Sequence, residues 1–179
     1  MNASGVRTGW RVIQGRPDFF SITKKMHNAL QGASINITEL KTRIYEEVAH
    51  ENAVRNHLDH DVVIVHDPQP LPMIQHYRSR APWIWRCHVD LTHPNPELWS
   101  YLAPLIEQYD AVVLSLPAYA QKLTKPQRFI MPAINPFSTT NRSYQTQKSM
   151  IDSRTMTFPP IFPSLCRYRG STGGRIRRA

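Results

Sequence analysis

Two short clusters hold the side chains with the widest chemical reach. Residues 66–70 read His-Asp-Pro-Gln-Pro, and residues 87–94 read Cys-His-Val-Asp-Leu-Thr-His-Pro. Asp67, Gln69 and Asp90 can accept from or donate to the hydroxyls of a sugar. His66, Asp67, His88 and Asp90 also make an imidazole–carboxylate set of the kind that suits zinc, iron or manganese. His88 or Cys87 could act as a base or nucleophile. The metal reading is the weakest on spacing, because neither HExxH nor a helical His pair occurs. The bland alternative is that His66 and His88 only finish strands and satisfy nearby backbone groups.

A third polar group lies at helical spacing. Lys24, His27, Asn28 and Gln31 fall on one face of the segment Phe19–Gly32. The bland reading of that face is solvation.

These clusters need elements to hold them. Asp61–His66, Trp83–His88, Asp110–Ser115 and Arg128–Met131 read as strands, and Trp10–Gln14 as a further short one. Val62–Val65 is apolar without alternation, which predicts a strand covered on both faces. Helices are expected over 18–30, opened by Pro17, and from Thr38, a side-chain cap, to about Leu58. In the second, Leu40, Ile44, Val48, Ala49 and Val54 form the expected apolar stripe. Further helical segments fall near 70–79, 96–108 and 117–123. Strand–helix alternation with apolar strands predicts an α/β layer fold with a Rossmann-like parallel sheet and flanking helices. Ligands of such sheets bind beyond the carboxyl ends of the strands, where both His-Asp clusters stand. Adjacent strand side chains point to opposite faces, so Cys87 should turn inward where His88 turns outward.

The chain has 179 residues, 41% of them apolar and 20% charged, ordinary values for one globular domain. Its longest apolar runs are about four residues, too short to span a membrane. No secretory leader opens the chain, and Cys87 and Cys166 cannot make a disulfide framework, so a reducing cytoplasm is expected. The net charge of +9 is unevenly placed. Residues 1–141 carry 14 Lys+Arg against 12 Asp+Glu, a balance of +2; residues 142–179 carry 8 against 1, a balance of +7. The expected division is therefore a folded body, 1–141, and a basic, disordered tail, 142–179. A near-neutral body argues against a specific nucleic-acid face. The tail alone could give salt-dependent, sequence-independent binding, so a noncatalytic basic or sugar-binding module is one alternative.

Several stretches, taken in order, resemble one family. Trp10–Gly15, FFSITKKMHNALQG, VIVHDPQP, PWIWRCHVDLTHPN, YDAVVLSLPAY and FIMPAINPFS are together similar to the trehalose synthases of the retaining glycosyltransferase class. The resemblance covers nearly all of 10–141. It implies the N-terminal, acceptor-side domain of a two-domain GT-B enzyme that moves glucose from a nucleotide-glucose donor onto free glucose. By motif position, Asp67 would contact acceptor glucose, His88 would lie near the reacting sugar as the catalytic-site residue, and Asp90 would sit beside it. Gln69, Lys24, His27 and Asn28 complete the substrate-binding set. No metal or cofactor is implied beyond the nucleotide-glucose co-substrate, and a homodimer is compatible with the sequence. A phosphorylase acting on trehalose and phosphate is the related alternative.

The chain departs from the family in two places. The strand and glycine-rich turn that open the family's domain are not seen in Met1–Gly9, which predicts a sheet without one central strand and with exposed edges. Residues 142–179 do not match the family's second domain as written, but they do in another reading frame. With the third base of each codon joined to the first two of the next, Cys166–Arg178 permits SLSRFDRWKDPP and Arg154–Pro159 permits HYDIP. The family has a very similar SRFDRWKDP stretch. A one-position frame change near Asn141–Arg142 is therefore expected to account for the basic tail. Half an enzyme of this kind is expected to have little activity alone.

Overall fold

The computed structural model describes residues 5–77 and 81–133, within one unit spanning Met1–Ala133. The expected tail, 142–179, lies outside the described residues.

Among the described residues four strands form one sheet in the order β1-β2-β3-β4, every neighbouring pair parallel: β1 Val63–His66, β2 Trp83–Arg86, β3 Ala111–Leu114 and β4 Gln127–Phe129. Pairing persists past β4, where the Ile130 N–H donates to the Leu114 carbonyl at 2.8 Å. Among the same residues three α-helices accompany the sheet: α1 Pro17–Leu30, α2 Glu39–Arg55 and α3 Pro96–Ile106. The architecture is α/β with a parallel sheet and flanking helices, as the alternation of elements predicts.

Helix boundaries follow from local chemistry. Pro17 and Pro96 stand in the first turns of α1 and α3, where a missing N–H costs nothing. The Thr38 side chain accepts from Lys41 N at the start of α2. Asn95 Oδ1 accepts from Glu97 N at 3.0 Å and Leu98 N at 3.2 Å at the start of α3. Gly32, at φ +94°, ends α1, and a side chain there would also crowd the His93 carbonyl at 3.1 Å.

The register sorts the sheet into two faces. Val63 pairs with Trp83, and Val65 with Trp85, which pairs with Val112. With Cys87 and Leu114 these side chains are all at most 6% exposed and share one core cluster with Phe19, Met26, Tyr45, Leu98 and Ile106. Trimming such a residue to alanine costs about 2–5 kcal/mol. The other face carries Ile64, His66, Arg86, Val113 and Arg128. Cys87 and His88 do fall on opposite faces, and burial pushes the Cys87 thiol up, away from thiolate chemistry.

Several expectations are corrected. β1 is not covered on both faces: burial alternates along it and Ile64 is 46% exposed, because the core packs on the opposite face of the sheet, where Val63, Val65, Trp83, Trp85 and Val112 lie. Trp10–Gln14 is not a strand. The Asn52 side chain of α2 takes the place of a neighbouring strand there, accepting from Gln14 N at 2.8 Å and donating to Gln14 O at 2.7 Å. Leu40 and Val54 lie outside the stripe of α2, which is Tyr45, Val48, Ala49, Asn52 and Ala53. The segments near 70–79 and 117–123 are short 3-10 helices, Leu71–Gln75 and Pro117–Tyr119, since prolines there limit regular i to i−4 bonding.

Candidate active site

The carboxyl ends of β1 and β2 meet at one corner. β1 closes with His66, which stands opposite Arg86, the last residue of β2. The Asp67 N–H donates to the Arg86 carbonyl at 2.8 Å, so the ladder runs one residue past β1 before the chain turns. The turn is made by Asp67 itself, at φ +62°. That conformation disfavours a side chain by about 1–2 kcal/mol. It is retained where the surroundings over-determine it, and such positions cluster at functional sites.

The turn aims the Asp67 carboxylate across to the loop after β2. Oδ1 accepts from the His88 backbone N–H at 2.9 Å and meets His88 Nδ1 at 3.2 Å. An ionised carboxylate can only accept, so in this contact Nδ1 is the protonated nitrogen and Nε2 is the one left for a further partner. Trp85 Nε1–H donates to the Asp67 carbonyl at 3.0 Å, and the Tyr45 hydroxyl to the Pro68 carbonyl. Two buried side chains thus hold the two carbonyls that follow the strained φ of Asp67. The His66 ring lies parallel to that of His88, centroids 5.4 Å apart and planes within 7°. Trp10 packs on His66 at 5.6 Å. Burial, followed by the charge of His88, holds the His66 imidazole below its ordinary range; Asp67 opposes that shift and Arg86 adds to it.

The other candidates are placed less centrally. Gln69 is half-buried in the loop between Pro68 and Pro70. Asp90 follows His88 by two residues, but its Oδ1 is occupied by Thr92, accepting from N at 2.8 Å and from the hydroxyl at 2.6 Å. It caps its own turn. Lys24 and Asn28 are exposed on α1 and His27 is half-buried, opposite the buried Phe19, Ile22, Thr23 and Met26. The carboxyl end of α1 is tied to the loop after β2: Asn95 N–H donates to the Ala29 carbonyl at 2.8 Å. The α1 polar face and the His88 loop therefore share one support. None of the three α1 residues hydrogen-bonds Asp67 or His88.

Sequence reasoning missed two features here. Trp10, 74% exposed, reads as a strand residue in the sequence, although its ring on His66 makes it part of the corner. Arg86 reads as a strand residue. It is 8% exposed and its Nη2 donates to the Ile130 carbonyl at 2.6 Å, so it fastens the chain after β4 to the end of β2. Among the described residues Arg86 Nη1 and the Ser115 hydroxyl are buried without a partner, at the carboxyl ends of β2 and β3. Among the same residues no group of three or more His, Cys, Asp or Glu is arranged to hold a metal ion.

A parallel α/β sheet with its polar groups gathered at the carboxyl ends of neighbouring strands is the Rossmann-like, N-terminal type of domain found in GT-B glycosyltransferases. Residues 1–121 match the family described as "Trehalose synthase, N-terminal domain". The trehalose synthase of Pyrococcus horikoshii is 42% identical over 145 residues, 79% of this chain and 35% of the relative. That of Thermococcus litoralis is 40% identical over the same shares. The trehalose phosphorylase of Pleurotus pulmonarius is 28% identical over 135 residues, 63% of this chain and 18% of the relative. The chain belongs to the trehalose synthase N-terminal domain family, and it spans about a third of the length of the synthases it matches.

Proposed function

We propose that this chain is the acceptor-side part of a glycosyltransferase that moves glucose from a nucleotide-glucose donor to free glucose, forming trehalose. The observation that carries the reading is the corner in which Asp67, held at φ +62°, takes both the backbone N–H and Nδ1 of His88. A fixed carboxylate with spare acceptor capacity suits the hydroxyls of an acceptor sugar. An imidazole whose Nδ1 is held by that carboxylate keeps Nε2 for a hydroxyl of the transferring sugar. Positioning and charge stabilisation do most of the work in such a transfer. Asp67 and Gln69 would face the acceptor, His88 the reacting sugar, and Asp90 the loop that carries it. Lys24, His27 and Asn28 would border the same cleft from α1. The domain would run over 1–141, with 142–179 a basic segment outside it. The setting is the cytoplasm, and a homodimer is allowed.

Half the contacts to the transition state would come from the rest of such an enzyme, so the chain alone should turn over little or nothing. The test is to supply the purified chain with nucleotide-glucose and glucose, alone and together with the carboxyl-terminal part of a matching trehalose synthase. Trehalose formed only in the second mixture is the expected result. Trehalose from the chain alone would overturn the claim that it is half a site. None in either mixture, with both parts folded and associated, would overturn the synthase reading. The similarity to trehalose phosphorylase favours one alternative, for which the same mixture would release glucose from trehalose when phosphate is added.

A further inference from the structure

His66 lies between two rings. Trp10 packs on it at 5.6 Å with planes tilted 52°, and His88 lies against it at 5.4 Å with planes 7° apart. Register places His66 and Arg86 on the same sheet face, and His88, two residues beyond Arg86, follows on that face. The stack is therefore built into strand pairing.

A histidine ring in solution turns about its side-chain bonds. Asp67 Oδ1 fixes one edge of the His88 ring, but a single contact leaves the ring free to swing about that point. A second ring lying nearly parallel, its centroid 5.4 Å away, limits the remaining freedom. His66 can supply that wall because its own position is fixed twice, by the strand beneath it and by Trp10 outside it.

We propose that His66 is a positioning residue for His88: clamped by Trp10, its ring sets the plane of the His88 imidazole while Asp67 holds Nδ1, so that Nε2 points to the sugar. The proposal rests on the reading above in taking His88 as the group that meets the sugar. His66 itself touches no substrate. What matters is a flat ring, not a proton: burial first, then the facing His88 and Arg86, hold the His66 imidazole below its ordinary range, against the opposing charge of Asp67. Phenylalanine should therefore do its work, and alanine should not.

Nuclear magnetic resonance of the full chain at pH 7.5 tests this directly. In the wild type, the His88 ring protons should show an upfield ring-current shift, and its ring nitrogens should report the single tautomer with Nδ1 protonated. His66→Ala should abolish the ring-current shift and give a mixture of tautomers. His66→Phe should restore both signatures. Trp10→Ala, which leaves the strand intact, should weaken them in the same direction. An unchanged His88 spectrum in His66→Ala, or no recovery in His66→Phe, would overturn the proposal. If His66→Ala does not fold, the Trp10→Ala and His66→Phe spectra decide the matter alone. Glucose added to the wild type separates the two claims. A stacked His88 that glucose leaves unmoved would contradict the sugar reading while the positioning role stands.

Discussion

A single oxygen, Asp67 Oδ1, accepts from the His88 backbone N–H at 2.9 Å and from His88 Nδ1 at 3.2 Å. It thereby joins the residue that ends the β1 turn to the loop that leaves β2. The left-handed backbone of Asp67 aims the carboxylate, and the two bonds hold that backbone in place. The two effects can be separated. Asp67→Ala should cost about 2 kcal/mol, since bonds to a charged acceptor contribute about 1.5–3 kcal/mol. Asp67→Gly loses the same bonds but relieves φ +62°, so it should be the more stable of the two by about 1 kcal/mol. Chemical denaturation of both variants checks the order.

Asn52 is buried on α2 and bonds both backbone groups of Gln14 as well as the Val48 carbonyl at 2.7 Å. Asn52→Ala should destabilise the chain by about 2 kcal/mol by leaving those groups unpaired. It should also loosen the segment that carries Trp10. Trp83 and Trp85 are at most 3% exposed, and Trp99 is half-buried. Trp10 therefore dominates collisional quenching by a soluble quencher, which should rise in Asn52→Ala.

Ser115 has a buried hydroxyl without a partner among the described residues. Removing an unsatisfied polar group restores nothing that was bonded and lifts its desolvation cost. Ser115→Ala should be neutral or stabilising by up to about 1 kcal/mol. Ser115→Cys, which keeps bulk and a weak donor, should fall between the two. Thermal melts in parallel measure this.

Acid should weaken the fold through His66. Its folded value lies below 6.5, chiefly from burial, whereas the unfolded chain takes up its proton near 6.5. Between those two values the unfolded state binds more protons, so stability falls as the pH falls. The contribution is present in full above about pH 6.5 and is lost as the pH drops through the lowered folded value. His66→Phe should flatten that slope. A smaller slope should remain from His76, which burial and His50 also hold below 6.5.

The basic segment makes a prediction at the level of DNA. Sequencing through the codons for Asn141 to Ala179 should reveal an extra or missing base near Asn141, with an open frame continuing as SRFDRWKDP. An intact frame, with related chains keeping the same basic segment, would refute the frame change.

Much of this structure is legible in the sequence because apolar runs and helix starts are local. The strand cores at 63–66, 83–86 and 111–114, the Pro17 and Thr38 starts, and the placing of Asp67 and His88 at strand ends all follow from short-range pattern. What escaped is nonlocal. That Ile64 faces outward depends on the core packing on the other face of the sheet. That Trp10–Gln14 is no strand depends on Asn52, 38 residues beyond Gln14. No periodicity signals that Trp10 would lie on His66. Nor does any motif tell that Asp90 spends its carboxylate on Thr92.

The claim at the centre is that the Asp67–His88 corner receives a sugar. Titrating the isotope-labelled full chain with glucose, and with mannitol as an open-chain control, tests it most directly. The expected result is saturable shifts confined to Asp67, Gln69, His88 and the adjoining face of α1, absent with mannitol and lost in Asp67→Ala. Saturable shifts elsewhere, with this corner silent, would contradict it.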